Sequence, residues 1–164
     1  MKQLRPGGVG AELGVYKGAF SRVILEACRP SRLHLIDIDL ATYDVATSFQ
    51  DEIKEGTVVL HEGESAATLR SFPEGGFDFI YIDANHSYNS VKQDIAAATP
   101  RLRSDGFLIF NDYTYWSPCE CMKYGVMQAV NELCLEDNWE IRYFALEPFM
   151  YCDVALQRAL TSVS

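Results

Sequence analysis

Short apolar runs alternate with amphipathic or polar stretches along almost the whole chain, and this rhythm restricts its fold more than any single motif. VGAELGV (9–15) reads as a strand, and AFSRVILEAC (19–28) then places Phe20, Val23, Ile24 and Ala27 at helical spacing. LHLIDID (33–39) is a second strand, followed by a polar, weakly helical stretch over 40–56, a third strand TVVLHEG (57–63) and a short helix SAATLRSF (65–72). FDFIYID (77–83) precedes SYNSVKQDIAAATPRL (87–102), where Val91, Ile95, Ala98 and Leu102 form a stripe and Ser87 is expected to cap the start. DGFLIFNDY (105–113) is a fifth strand; an aromatic loop and a helix over 124–137 follow. The last segment, 139–159, holds two strands joined at Glu147 to Met150 with no helix between them. Strands linked by helices build a parallel sheet covered on both faces, which is why they are continuously apolar. The closing hairpin adds one antiparallel strand.

The chain has 164 residues, 48% of them hydrophobic, enough for one core and one domain over 1–164. Acids outnumber bases 23 to 14, the net charge is -9, and no basic cluster exists to neutralise a phosphate backbone. Nucleic acid is excluded as an expected partner. No apolar run reaches the ~20 residues of a membrane span, and MKQLRPGGVGAELG has no signal-type apolar core, so a soluble, cytoplasmic protein with no membrane partner is expected. Five scattered cysteines suit a reducing compartment. Cys119-Glu-Cys121 lacks the second ligand pair of a zinc site and reads as ordinary loop thiols.

In open α/β sheets, ligands bind beyond the carboxyl ends of the strands, where strand order reverses. The first strand ends in Glu12-x-Gly14-x-x-x-Gly18 with Tyr16 inside the turn. Gly8 and Gly10 come before the carboxyl end of the strand instead of following it, and the spacing is not the G-x-G-x-x-G that a pyrophosphate requires. The looser turn fits a cofactor without phosphates, and S-adenosyl-L-methionine is one. Glu12, Gly14, Tyr16 and Gly18 are therefore candidate cofactor residues. The second strand ends in Asp37-Ile-Asp39, where an acid can accept both hydrogen bonds of a ribose diol; Asp37 is the first choice and Asp39 the second. Gly63, Glu64 and Ser65 end the third strand, beside the expected adenine.

With ELGVYKG in the first motif and IDANHSY at the fourth strand, the sequence resembles the class I S-adenosylmethionine-dependent methyltransferases, and within them the small-molecule, catechol-type O-methyltransferase branch. The resemblance runs from about Val9 to the end of the chain. It implies an α/β fold, a Rossmann-like three-layer sandwich around a seven-stranded, mostly parallel sheet with the last strand antiparallel. Members of that branch carry N-terminal cap helices over the acceptor site. Here the first strand begins near residue 9, so the chain is a fragment, its pocket is open, or a second copy in a homo-oligomer closes it.

Methyl transfer to oxygen depends on orientation and on an acceptor that loses its proton. Asp83 ends the fourth strand and Asn111-Asp112 the fifth. Three oxygen ligands from adjacent strand ends suit Mg2+. The resembling enzymes hold a metal at these positions, with the acid and amide of the fifth strand in the opposite order. Asp83 also borders the cofactor. His86 lies three residues beyond Asp83, where the resemblance places a catalytic lysine, and an imidazole there is a candidate general base for a small hydroxylated acceptor. His34 and His61 read as structural. The loop YTYWSPCECMKYG (113–125) is either part of the acceptor pocket or a lid packed on its own domain. Rival readings are a nucleotide- or nicotinamide-binding domain and a fold used for binding without catalysis. No NPPY-type segment follows the fourth strand, which weighs against amine acceptors.

Overall fold

The structure is a computed structural model that describes residues 4–147 and 149–159. In chain order its strands are β1 (Val9–Leu13), β2 (Arg32–Asp37), β3 (Val58–Glu62), β4 (Phe77–Ile82), β5 (Leu102–Phe110), β6 (Trp116–Ser117), β7 (Met122–Lys123), β8 (Trp139–Ala145) and β9 (Asp153–Arg158). The helices are α1 (Ala19–Cys28), α2 (Val45–Ser48), α3 (Gln50–Glu55), α4 (Ser65–Arg70), α5 (Tyr88–Ala98) and α6 (Val126–Glu136). Seven strands form one sheet in the order β3-β2-β1-β4-β5-β9-β8. Neighbours from β3 to β5 pair in parallel, while β9 is antiparallel to both β5 and β8. The expected closing hairpin thus inserts its second strand, β9, between β5 and the edge strand β8.

Each central strand feeds two cores. Phe79 and Tyr81 of β4 face a cluster that includes Ile24 and Cys28 of α1, Val45 of α2 and Phe49. Ile80 and Ile82 face the opposite cluster, which holds Leu69 of α4, Val91 and Ile95 of α5 and Val130 of α6. Alternation of side chains along a strand, with helices on both faces, accounts for the apolar run at 77–82, interrupted by Asp78 alone.

Several local expectations change. The polar segment 40–56 breaks into two short helices at Phe49, which is buried with φ −120° and ends α2 while starting α3. Burying that ring anchors a stretch otherwise poor in apolar residues. Ser87 occupies the N-cap position of α5 without capping it: its hydroxyl donates to that of Ser90 at 2.9 Å, and its own N–H donates to Asn85 Oδ1 at 2.8 Å. The helical stripe stops at Ala98, ahead of Pro100, and β5 starts at Leu102, before the glycine. The aromatic loop contains a hairpin, β6–β7, that periodicity did not reveal because its strands have two residues each. Among the described residues, no helix is long and apolar enough to cross a membrane.

Strand order reverses between β1 and β4: the helix that follows β1 packs in one core, the helix that follows β4 in the other. Their diverging connections open a cleft at the carboxyl ends of the strands.

Candidate functional site

The cleft has a volume of about 910 Å³, and its wall includes Glu12, Gly14, Tyr16, Asp37, Asp39, Gly63, Glu64, Ser65, Asp83 and His86. The three motif regions picked out at the ends of β1, β2 and β3 therefore meet in one space. Gly14 allows that meeting. It has φ +84°, and a Cβ there would lie 2.1 Å from the Asp83 carbonyl oxygen, so the β1 turn passes against the end of β4 only without a side chain. Gly18 does not line the cleft; it adopts φ 73° as the residue before α1, with Phe49 beneath it.

Asp37 first serves the protein. Its Oδ2 accepts from Val15 N at 2.7 Å and Tyr16 N at 3.0 Å, and its Oδ1 from Asp39 N at 3.0 Å. It thereby pins the β1–α1 turn, including Tyr16 at φ 51°. Asp39 accepts from Thr42 N at 2.9 Å, and hydrogen bonds from Thr42 hold its carboxyl below the usual range. Glu64 caps α4 by accepting from Ala66 N and Ala67 N. Ser65 donates to Asp94 Oδ1 at 2.5 Å. Burial raises Asp94 to a pKa of about 6, against the lowering by Ser65. Glu12 accepts from the Ser21 hydroxyl at 2.5 Å, and burial pushes its pKa up to about 8. Glu12 thus faces the cleft largely as a neutral acid at pH 7.

At the far end stands His86. Its Nε2 lies 3.4 Å from Asp83 Oδ1 and 3.5 Å from Asp112 Oδ2, between the two carboxylates and aligned for a hydrogen bond with neither. Its ring stacks on Tyr124 at 4.4 Å and 11°. Burial draws the imidazole pKa down, but Asp83 and Asp112, with Glu120 beyond, outweigh it and leave the pKa above the usual histidine value. Burial in turn raises both carboxyls, Asp112 to about 6. Asp112 reaches this position through a left-handed backbone, φ 56°.

Asn111 and Asp112 do not line the cleft. The Asn111 amide nitrogen donates to Tyr81 Oη at 2.9 Å and Asp153 Oδ1 at 3.2 Å, and Tyr81 donates to Asp153 Oδ2 at 3.0 Å. Among the described residues, no group of three or more His, Cys, Asp or Glu is placed to hold a metal ion. The expected Mg2+ set of Asp83, Asn111 and Asp112 finds no support there. The Asn111 amide nitrogen is engaged by Tyr81 and Asp153, and Asp83 and Asp112 flank an imidazole. His34 and His61 behave as expected: they share a 2.8 Å hydrogen bond beside Phe72, outside the cleft wall.

Sequence reasoning missed Asp94, Asp153 and Tyr43. Asp94 carried a signal, being an acid on the buried stripe side of a helix. Asp153 carried none, because only the pairing of β9 with β5 sets it beside Asn111.

A reversal between β1 and β4, a glycine turn against β4 and acids at successive strand ends together define a class I methyltransferase. Residues 11–113 match the Methyltransferase domain family, and the chain belongs to it. No curated protein matches the chain. Among solved structures, a SAM-dependent methyltransferase from Aquifex aeolicus is similar at TM-score 0.66 and 16% identity, over 93% of this chain and 83% of that one. A ribosomal protein L11 methylase from Lactobacillus delbrueckii subsp. bulgaricus is similar at 0.65 and 16%, over 94% and 71%. A precorrin-6y C5,15-methyltransferase from Geobacter metallireducens gives 0.64 and 15%, over 94% and 80%. These likenesses are of fold, while the named acceptors belong to those proteins.

Proposed function

We propose that this chain is an S-adenosylmethionine-dependent methyltransferase that methylates an oxygen of a small hydroxylated molecule, with His86 as the general base. The observation that carries the reading is His86, held in the cleft with its Nε2 between Asp83 and Asp112. The lining of the cleft supports the cofactor. Apart from Glu12, which burial keeps largely neutral, its acids Asp37, Asp39, Glu64, Asp83, Asp94 and Glu120 face a single lysine, Lys17. Such a wall repels a pyrophosphate, which weighs against a nicotinamide dinucleotide, and suits a ligand rich in positive charge.

When bound, adenosylmethionine supplies a methyl group on a sulfonium sulfur, which keeps the bonding electrons and leaves as a neutral thioether once oxygen takes the methyl. The chain's part is to orient and to move one proton. Asp37 and Asp39 offer carboxylate oxygens to a diol, while Glu64 and Ser65 border the base. His86 Nε2 takes the acceptor's hydroxyl proton, and Asp83 and Asp112 stabilise the imidazolium that results. Tyr124, stacked on the ring, keeps the imidazole from turning. Because the carboxylates raise the His86 pKa, the free base, and with it the rate, grows as pH rises through that value. No role is assigned to a divalent metal.

The test has two stages. Calorimetric titration with adenosylmethionine and adenosylhomocysteine should show binding of both, and absence of either heat would overturn the reading. Transfer of labelled methyl to a panel of phenols and alcohols should then be ~10²–10⁴-fold slower in His86→Gln, with adenosylhomocysteine affinity kept. Equal turnover in the variant would remove His86 as the base.

A further inference from the structure

The sheet has two outer strands, β3 and β8, and they differ. Among the described residues β3 carries no exposed large apolar side chain. β8 and the turn after it carry Ile141, Tyr143, Phe144, Leu146, Phe149 and Met150, each with between 42% and 85% of its surface exposed. Only one edge of β8 is paired, with β9, so alternate N–H and C=O groups along Trp139–Ala145 point outward with no strand to receive them. Edge strands are commonly guarded by lysine or proline, and Trp139–Ala145 contains neither. Its two charges balance: Arg142 pairs with Glu140 at 2.8 Å, beside the bulge between Ile141 and Tyr143.

Such an edge fits a partner that brings a strand of its own and no net charge at the contact. The chain carries a net charge of -9, so two copies repel each other, and least across a neutral, apolar strip. Taking about 150–250 Å² for each such side chain, the six expose on the order of 700 Å², near the roughly 800 Å² that each partner gives to a standard interface. The strip is also self-complementary. A two-fold axis through Ile141 runs two β8 strands antiparallel and sets Glu140 of each copy opposite Arg142 of the other. We propose that β8 pairs with β8 of a second copy of this chain, joining two seven-stranded sheets into one continuous sheet across a two-fold interface. The inference stands apart from the functional reading, since neither the cleft nor a ligand enters it.

Sedimentation equilibrium at micromolar concentration should show wild type as a dimer. Glu140→Arg and Arg142→Glu each set like charges opposite one another twice per dimer, and each should weaken association about tenfold or more. The double variant Glu140→Arg/Arg142→Glu puts opposite charges face to face again and should recover most of the loss. A monomeric wild type would overturn the pairing, as would single variants that dimerise like wild type or a double variant no better than either. Hydrogen exchange gives a readout that needs no variant: the amides of Trp139–Ala145 should exchange more slowly as protein concentration rises through the dimerisation range. Exchange independent of concentration along β8, in a protein that dimerises, would put the interface elsewhere and overturn the proposal.

Discussion

Glu12 is 1% exposed and still faces the cleft, so its charge state is decided by burial. Its pKa rises from the ordinary 4.5 to about 8 in the fold. A carboxyl raised in this way contributes stability that is whole below its unfolded pKa and is lost as pH rises through the folded one. Glu12→Gln removes that loss. The variant should therefore gain on wild type as pH rises from about 5 to about 8 in urea-unfolding series. Parallel curves would show that Glu12 is ionised in the fold. For His86 the reasoning runs through its neighbours. Asp112→Asn removes a charge that raises the imidazole pKa, so an NMR titration of the His86 ring should show its midpoint lower in the variant. An unmoved midpoint would mean that Asp112 does not act on the ring.

Among the elements, the β1–α1 turn forms one wall of the cleft, and the α1–α3 contact braces the helix that follows it. Gly14→Ala meets two obstacles, a positive φ and a Cβ 2.1 Å from the Asp83 carbonyl oxygen, and no side-chain rotation relieves a backbone clash. The chain should lose about 2 kcal/mol or more, and adenosylhomocysteine binding should disappear with the turn. Denaturant unfolding and calorimetry check the two effects separately; a stable variant that binds normally would contradict the close approach. Arg22 joins α1 to the split helix pair: its guanidinium pairs with Glu52, donates to Ser48 O at 2.8 Å and lies 4.5 Å from the Phe49 ring centroid. Since the pair is partly exposed, Arg22→Ala should cost only about 1 kcal/mol, read as a lower urea midpoint with ligand affinity kept.

Over the whole molecule, two sets of buried groups respond to pH in opposite senses. Burial raises Asp94, Asp112 and Asp153 to about 6, so their contribution is whole at low pH and is lost as pH rises through 6. Burial, then the charge of His61, lowers His34 to about 4 from 6.5, so its contribution is whole above 6.5 and is lost as pH falls through 4. Between about 4 and 6 the two slopes oppose, but the raised carboxyls are the more numerous, so wild-type stability should fall as pH rises, less steeply than the acids alone would make it. His34→Gln leaves the carboxyls unopposed. Its stability should fall with rising pH more steeply than that of wild type across this range, and an equal slope would remove the histidine pair from the balance.

The periodicity of apolar residues alone determined the β/α alternation, the helix at 19–28 to the residue and the antiparallel return at the end of the chain. Such features arise within one element or between neighbours, where side-chain spacing carries the information. It also marked the strand ends at Gly14, Asp37 and Asp83, because solvent and ligand begin where a buried strand stops. Tertiary structure decided the rest. The Asn111 amide nitrogen donates to Asp153 because β9 brings that acid alongside it, and no local pattern links residues 42 positions apart. Asp112 reaches His86 only through a left-handed backbone, and burial beside Ser21 of α1, which no local pattern announces, raises the Glu12 pKa. Charge state and side-chain direction depend on what surrounds a group in space, so they became legible only in the folded chain.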